Sequence, residues 1–258
     1  MRVTGGRLFG WKSNHGRALH MLPTRYLCVM EQTTEIPTIT TGNKIWAYAL
    51  SGLFHPLLIP SYMYVLLMLI NPFLFGSNSF GEERALLTLL MMVLYTAVIP
   101  MISVLLMVAL NMVSSIMMAD KMERIGPLLL VMVLYFWVYY NLSQNNDVPT
   151  IFSTFLLGVV IALAVSFVIN VLDKISLHAV GMGGLVAMLM ITMGLFGANG
   201  LVVGGLTVSL GLLLIVGVII AGLVGSARLA LGAHDNVQIY AGYVVGFAAQ
   251  LMALKFYF

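Results

Sequence analysis

Charged residues are scarce in this chain of 258 residues. They make up 8% of it, and hydrophobic residues make up 61%. Soluble domains carry about 25% charged residues, so this composition excludes an ordinary soluble globular protein. The formal net charge is only +3, and the basic excess lies mainly before residue 45. The rest of the chain therefore lacks the basic surface that nucleic-acid binding requires, and no nucleic-acid partner is expected.

Cysteine is also nearly absent. The single cysteine, Cys28, excludes an intrachain disulfide framework. The sequence has no Cys/His cluster with zinc-finger spacing. We therefore expect no metal site and no other cofactor.

Long uncharged intervals predict the fold, because a membrane-spanning helix needs about 20 consecutive, mostly apolar residues. No charged residue occurs between Lys44 and Glu82, between Arg84 and Asp120, or in the longest such interval, 175–227. The fold predicted is an all-α polytopic transmembrane helix bundle of about seven spans. The predicted spans are 46–71, 85–112 with a kink at Pro100, one that begins at Pro127, 150–171, two that are separated by a turn at 197–200, and 237–257.

The first 45 residues differ in composition from the remainder. They are polar, carry Arg and Lys, and have no apolar run long enough for a secretory signal peptide. We interpret 1–45 as a disordered tail and 46–258 as the membrane domain. The sequence leaves open whether translation begins at Met1, Met21 or Met30.

The charges that follow residue 84 are clustered. Eight of these ten residues lie in three short segments, at 120–124, 173–174 and 228–235. Two predicted spans separate the first segment from the second, and two more separate the second from the third. All three segments are therefore predicted to lie at one membrane face. Each of the later two places a cation beside a histidine, His178 or His234, and ionisable groups near membrane depth mark functional sites.

The combined residue types suit a phosphate group. Cations and a serine hydroxyl can hold its oxygens, one imidazole can attack phosphorus, and the other can protonate the leaving group. This chemistry requires that the three segments meet in the folded protein.

Two of the segments carry a family resemblance. Residues 227–242 resemble the third motif of the type 2 phosphatidic acid phosphatase superfamily, in which Arg precedes His by six positions, as Arg228 precedes His234. The segment with Ser176 and His178 is similar to the second motif, Pro-Ser-Gly-His. The match covers about 120–246.

The first motif of that superfamily is a lysine followed seven residues later by Arg-Pro, and Lys121 and Arg124 resemble it more loosely. The resemblance implies a six-helix core and a metal-independent phosphatase. It implies that His234 is the nucleophile that forms a phosphohistidine, and that His178 is the general acid and later the base. The implied phosphate-binding residues are Lys121, Arg124, Ser176 and Arg228.

The sequence departs from the family pattern at several positions. Gln238 stands where the family has an aspartate that orients the nucleophilic histidine, so the expected third catalytic residue is a neutral amide. Ile175 and Leu177 replace the proline and glycine of the second motif, and the spacing from Lys121 to Arg124 is three. We expect slower chemistry in a divergent, active protein, or a protein that has lost the reaction.

The resemblance implies that the partners are the lipid bilayer and a lipid phosphate, such as phosphatidic acid, phosphatidylglycerol phosphate, a polyprenyl diphosphate or a lipid A phosphate. It also implies a multi-pass protein of the bacterial inner membrane.

A catalytically inactive relative, a small-molecule transporter and a haem protein ligated by His178 and His234 are the alternatives. We interpret His55 as a packing or helix-capping residue and Lys174 as a loop charge. Basic residues in the tail favour a cytoplasmic site, whereas a start at Met30 makes an outward-facing site equally tenable.

Overall fold

The structure is a computed structural model that describes residues 44–116, 118, 120–197, 200–203 and 206–258. Residues 1–43, which are most of the predicted tail, lie outside the described residues. The described chain is an all-α polytopic bundle, with seven helical segments long and apolar enough to span a membrane. The protein is a multi-pass integral membrane protein, which confirms the predicted fold class.

The first span is interrupted near one end. It consists of α1 (Ile45–Leu53), a 3-10 turn (Pro56–Leu58) and α2 (Ile59–Ile70). Proline disfavours the helical conformation for the residue that precedes it, and His55 is accordingly extended, with φ −65° and ψ 136°. The break therefore follows from Pro56.

The second span contains the predicted irregularity at Pro100. Helix α3 (Glu83–Val93) leads through a π-helical turn (Leu94–Val98) into α4 (Ile99–Ala109). Pro100 has no N–H to donate to the Thr96 carbonyl one turn earlier. The Tyr135 hydroxyl donates to that carbonyl instead, at 3.0 Å. A side chain from the next span thus satisfies the group that proline leaves unpaired.

The third span starts earlier than predicted. A 3-10 turn (Met122–Arg124) leads directly into α5 (Ile125–Ser143), so the predicted start at Pro127 was wrong. Charged residues are tolerated at the end of a span, so the helical segment extends through the polar residues that precede Pro127. The fourth span, α6 (Thr150–Leu172), matches its prediction.

The remaining spans are α7 (Leu177–Phe196), α8 (Leu210–Ala230) and α9 (Asn236–Tyr257). Helix α7 ends directly before the predicted turn at 197–200, of which residues 198–199 lie outside the described residues. Between α7 and α8 the chain also forms an unpredicted antiparallel hairpin of β1 (Gly200–Val203) and β2 (Leu206–Ser209), in which Gly200 pairs with Ser209.

Helices α7 and α9 form the most extensive contact of the bundle, and α9 also packs on α6, while α8 packs on α1 and α7. Glycines permit the close crossing of α7 and α9. A Cβ at Gly246 would lie 2.8 Å from the Gly184 amide nitrogen, and one at Gly242 would lie 2.8 Å from the Ser176 carbonyl oxygen. This crossing holds the first turns of α7 and α9 side by side, where the sequence predicts the two histidines.

Candidate functional site

The three charged segments meet at one end of the bundle, as the topology argument predicted. Lys121 Nζ donates to the carbonyl oxygen of Leu172, at the end of α6, at 2.7 Å. The backbone N–H of Ser176, just before α7, donates to the carbonyl oxygen of Gln238 in α9, at 3.4 Å. Lys121 lies in the first segment, and Leu172, Ser176 and Gln238 lie within three residues of the other two, so these hydrogen bonds hold the three segments close together.

His234 lies in the short connection between α8 and α9. Its Nδ1–H donates to Gln238 Oε1 at 2.9 Å, because an amide oxygen only accepts. This bond leaves the lone pair of Nε2 available in the neutral ring. Asp235 Oδ1 instead accepts the backbone N–H of Gln238 at 2.9 Å and caps α9, as expected for a residue adjacent to the histidine that does not orient it.

The surroundings of His234 favour its neutral form. Burial is the largest cause that lowers the pKa of His234, and the positive charges of Arg124, Arg228 and Lys174 lower it as well. The hydrogen bond to Gln238 raises the pKa, and the net result is a pKa of about 4. Cations from all three segments therefore act on this one imidazole, which is neutral at physiological pH and has a free nitrogen.

His178 is the second residue of α7. Its Nε2–H donates to the carbonyl oxygen of Ser51 in α1, at 3.0 Å. Its ring also meets the ring of His55 edge to face, with centroids 5.2 Å apart. His55 Nδ1 accepts the backbone N–H of Leu57 at 3.3 Å, so His55 does cap the 3-10 turn and pack, as predicted.

Two arginines bring positive charge to the site. Arg228, in the last turn of α8, donates from Nη1 to Ser51 Oγ at 3.4 Å, and its buried Nε has no partner among the described residues. Arg124 donates from Nε to the Met118 carbonyl oxygen at 2.9 Å. Neither forms an ion pair within the described part of the chain.

The ion pair that the described residues do contain lies elsewhere. Arg84 and Asp147, 2.5 Å apart, join the first turn of α3 to the loop between α5 and α6, at the opposite end of the bundle. The three segments hold four cations and four carboxylates, and none of these forms an ion pair within the described residues. The charges that act on His234 are those of Arg124, Arg228 and Lys174. The amino-terminal ends of α7 and α9, which attract negative charge, lie at the same end. The immediate surroundings of His234 therefore suit an anion.

The other two predicted phosphate-binding residues have local roles in the structure. Ser176 is fully buried, and its Oγ accepts the backbone N–H of Ala179 at 3.5 Å, which caps α7. Lys121 extends to the Leu172 carbonyl, and its own carbonyl accepts from Asn170 Nδ2 at 2.8 Å. Lys174 lies in the connection between α6 and α7.

Sequence reasoning missed Ser51 and assigned His55 no place in the site. Ser51 is 7% exposed and contacts both His178 and Arg228. One signal was available in the sequence: Ser51 and His55 are four residues apart, a spacing that places side chains on one helical face, within an otherwise apolar span.

The fold and the site define a polytopic membrane protein with a polar cluster at one end, which contains two arginines and three histidines. No group of three or more His, Cys, Asp or Glu side chains in the described ranges is arranged to hold a metal ion. No protein-family model, curated protein or solved structure matches the chain.

Proposed function

We propose that the protein is a phosphatase of membrane lipids, which hydrolyses a lipid phosphomonoester or an isoprenoid diphosphate through a phosphohistidine. The observation that carries the proposal is His234: its Nδ1–H is held by Gln238, its Nε2 is unprotonated, and unpaired cations surround it. The motif resemblance to the type 2 phosphatidic acid phosphatase superfamily supports the same role.

In the first step, the Nε2 lone pair of His234 attacks phosphorus. A P–N bond forms and the P–O bond to the leaving group breaks. His178, which is neutral in the free protein and takes up a proton on Nδ1 when the anionic substrate binds, gives that proton to the leaving oxygen. Arg228 and Arg124 stabilise the negative charge on the phosphoryl oxygens. The products are the alcohol, or the monophosphate of a diphosphate substrate, and phosphorylated His234.

In the second step, water replaces the histidine. Neutral His178 accepts a proton from water through Nδ1, the oxygen attacks phosphorus, and the P–N bond breaks. Phosphate leaves, and both histidines return to their starting states. The net reaction consumes one water molecule for each phosphoryl group released.

The position of the site favours a lipid substrate. It lies at the end of the spans, so a phosphate headgroup reaches it while the acyl or isoprenoid chains stay in the hydrocarbon layer. We propose phosphatidic acid, phosphatidylglycerol phosphate, a polyprenyl diphosphate or a lipid A phosphate as the substrate. We place the protein in the bacterial inner membrane.

The test is phosphate release from these four lipids by the purified full chain, side by side with His234→Ala. We expect activity on at least one lipid, a loss of about a thousandfold or more in the variant, and a covalent phosphoprotein in the wild type alone. Lys255→Ala is the control, since it removes a cation from the far end of α9 and should leave activity unchanged.

Two results contradict the proposal. Unchanged phosphate release in His234→Ala would overturn the assignment of the nucleophile. Absence of release from all four lipids by folded wild-type protein would favour an inactive relative or a transporter of anions.

A further inference from the structure

The first span ends its α1 helix at the site and leaves a carbonyl group exposed to it. Pro56 forces His55 out of the helix, and the N–H of His55 bonds to Gly52 O at 3.3 Å. The N–H of Phe54 bonds to Leu50 O at 2.9 Å. Among the described residues, the Ser51 carbonyl accepts no backbone N–H, so it is one of the unsatisfied groups of a helix carboxyl terminus.

The imidazole of His178 satisfies that carbonyl. Since a carbonyl oxygen only accepts, the ring nitrogen that meets it, Nε2, must carry the proton. Neutral His178 is then the tautomer with an unprotonated Nδ1. His234 is held in the opposite tautomer, protonated on Nδ1 and free on Nε2. The two histidines thus present different nitrogens to the site.

His55 restrains the same ring from a second direction. Its edge-to-face contact with His178, at 5.2 Å between centroids, limits rotation of the imidazole. His55 is itself fixed, because its Nδ1 accepts the N–H of Leu57. The Ser51 hydroxyl meanwhile meets Arg228. One turn of the first span therefore contacts both the proposed proton donor, His178, and a proposed phosphate ligand, Arg228.

We propose that Ser51 and His55 are positioning residues: the Ser51 carbonyl and the His55 ring hold His178 with Nδ1 free for proton transfer to and from the substrate. The proton-transfer role rests on the proposed phosphatase function, whereas the tautomer and its dependence on the first span do not. The first span is then part of the catalytic site, although it lies outside the three motifs.

The tautomer is tested by 15N NMR of the full chain labelled with 15N-histidine in lipid nanodiscs at pH 8. The signals of His178 are assigned by their loss in His178→Gln. We expect a protonated Nε2 and an unprotonated Nδ1. A ring protonated on Nδ1, or one that averages between tautomers, would overturn the proposal.

Two substitutions separate the ring of His55 from its capping role. His55→Phe keeps an aromatic ring against His178 and removes the acceptor for Leu57 N–H, whereas His55→Asn keeps a good capping acceptor and removes the ring. We expect His55→Asn to mix the tautomers of His178 and to lower kcat about tenfold or more with little change in KM. His55→Phe should keep most of kcat and the wild-type tautomer.

The opposite pair of results contradicts the proposal. If His55→Asn retains the wild-type tautomer of His178 and the wild-type kcat while His55→Phe loses both, His55 acts only as a cap. Thermal unfolding in detergent shows whether each variant is folded. If wild-type protein releases no phosphate from any lipid, the proposed function fails, and the 15N spectra of the wild type and the two variants still decide this inference.

Discussion

In the proposed reaction, Gln238 sets how reactive His234 is, because it is the group that holds the imidazole Nδ1–H. Attack by Nε2 leaves the histidine ring positively charged. An amide oxygen fixes the ring and its tautomer, but it lacks the negative charge with which a carboxylate stabilises an imidazolium. The cations near His234 further disfavour a charged ring.

Replacement of Gln238 by aspartate should therefore accelerate the reaction. We expect Gln238→Asp to raise kcat about tenfold or more, since the carboxylate stabilises the cationic ring as it forms. The activity of the wild type should decline as the pH falls through about 4, where His234 gains a proton. The carboxylate raises the pKa of His234, so this acid limb should move to higher pH in the variant. The measurement is kcat/KM against pH with one lipid phosphate.

Gln238→Leu is the matched control, because it has similar size and no acceptor. It should lose activity, since Nδ1–H is then unpaired and the tautomer is no longer fixed. If Gln238→Asp lowers kcat and leaves the acid limb in place, the carboxylate does not reach His234, and Gln238 has a different role.

The site residues that sequence reasoning found are those whose relation is local in the chain. His234, just before α9, and Gln238, in its first turn, are only four residues apart, so their hydrogen bond follows from their spacing in the chain. The contact of Ser51 with His178 joins residues that are 127 positions apart. This contact depends on how α1 packs in the bundle, and the spacing of residues in the sequence does not predict that packing.

At the scale of elements, the site depends on the crossing of α7 and α9. Glycines on both helices face each other there, and backbone replaces side chains at the contact. A Cβ at Gly246 would collide with the Val180 carbonyl oxygen and lie 2.8 Å from the Gly184 nitrogen, both of which are backbone atoms of α7. Backbone atoms within a helix cannot rotate away, so the helices themselves must separate.

Gly246→Ala should therefore destabilise the protein by about 1–3 kcal/mol and misplace the first turns of both helices. Gly222→Ala is the control, since nothing lies within 4 Å of a Cβ added at Gly222 in α8. We expect thermal unfolding in detergent to show a lower midpoint for Gly246→Ala and an unchanged or higher one for Gly222→Ala. Equal midpoints would show that α7 and α9 do not cross this closely.

The spans themselves were predictable because the hydrocarbon layer fixes their length and excludes charge. The breaks within the spans were only partly predictable. Pro100 signalled an irregularity, but its form, a π-helical turn with Tyr135 bonded to Thr96, depends on a neighbouring span. The hairpin between α7 and α8 had no clear signal, because its apolar residues continue the composition of the flanking helices.

At the scale of the whole molecule, eight of the ten charged residues that follow residue 84 lie in three short segments. Helices that cross a membrane alternate in direction, so segments separated by an even number of spans share a face. This constraint placed 120–124, 173–174 and 228–235 together before any contact was known. Hydrogen bonds from Lys121 to Leu172 and from Ser176 to Gln238 hold the residues beside these segments together, as expected. A soluble protein with the same spacing would carry no such constraint.

The same alternation predicts the sidedness of every loop. Asn236, at the start of α9, lies at the site end, and Asn146, between α5 and α6, lies at the opposite end with Asp147. Both asparagines are exposed.

After Cys28→Ser removes the natural thiol, Asn236→Cys and Asn146→Cys should react with a membrane-impermeant maleimide from opposite sides. Lysed cells, in which both thiols should react, are the control. Reaction of both from one side in intact cells contradicts the order of spans. Labelling of Asn146→Cys alone places the site in the cytoplasm, where the proposed substrates would be lipids of the inner leaflet, and labelling of Asn236→Cys alone places it outside.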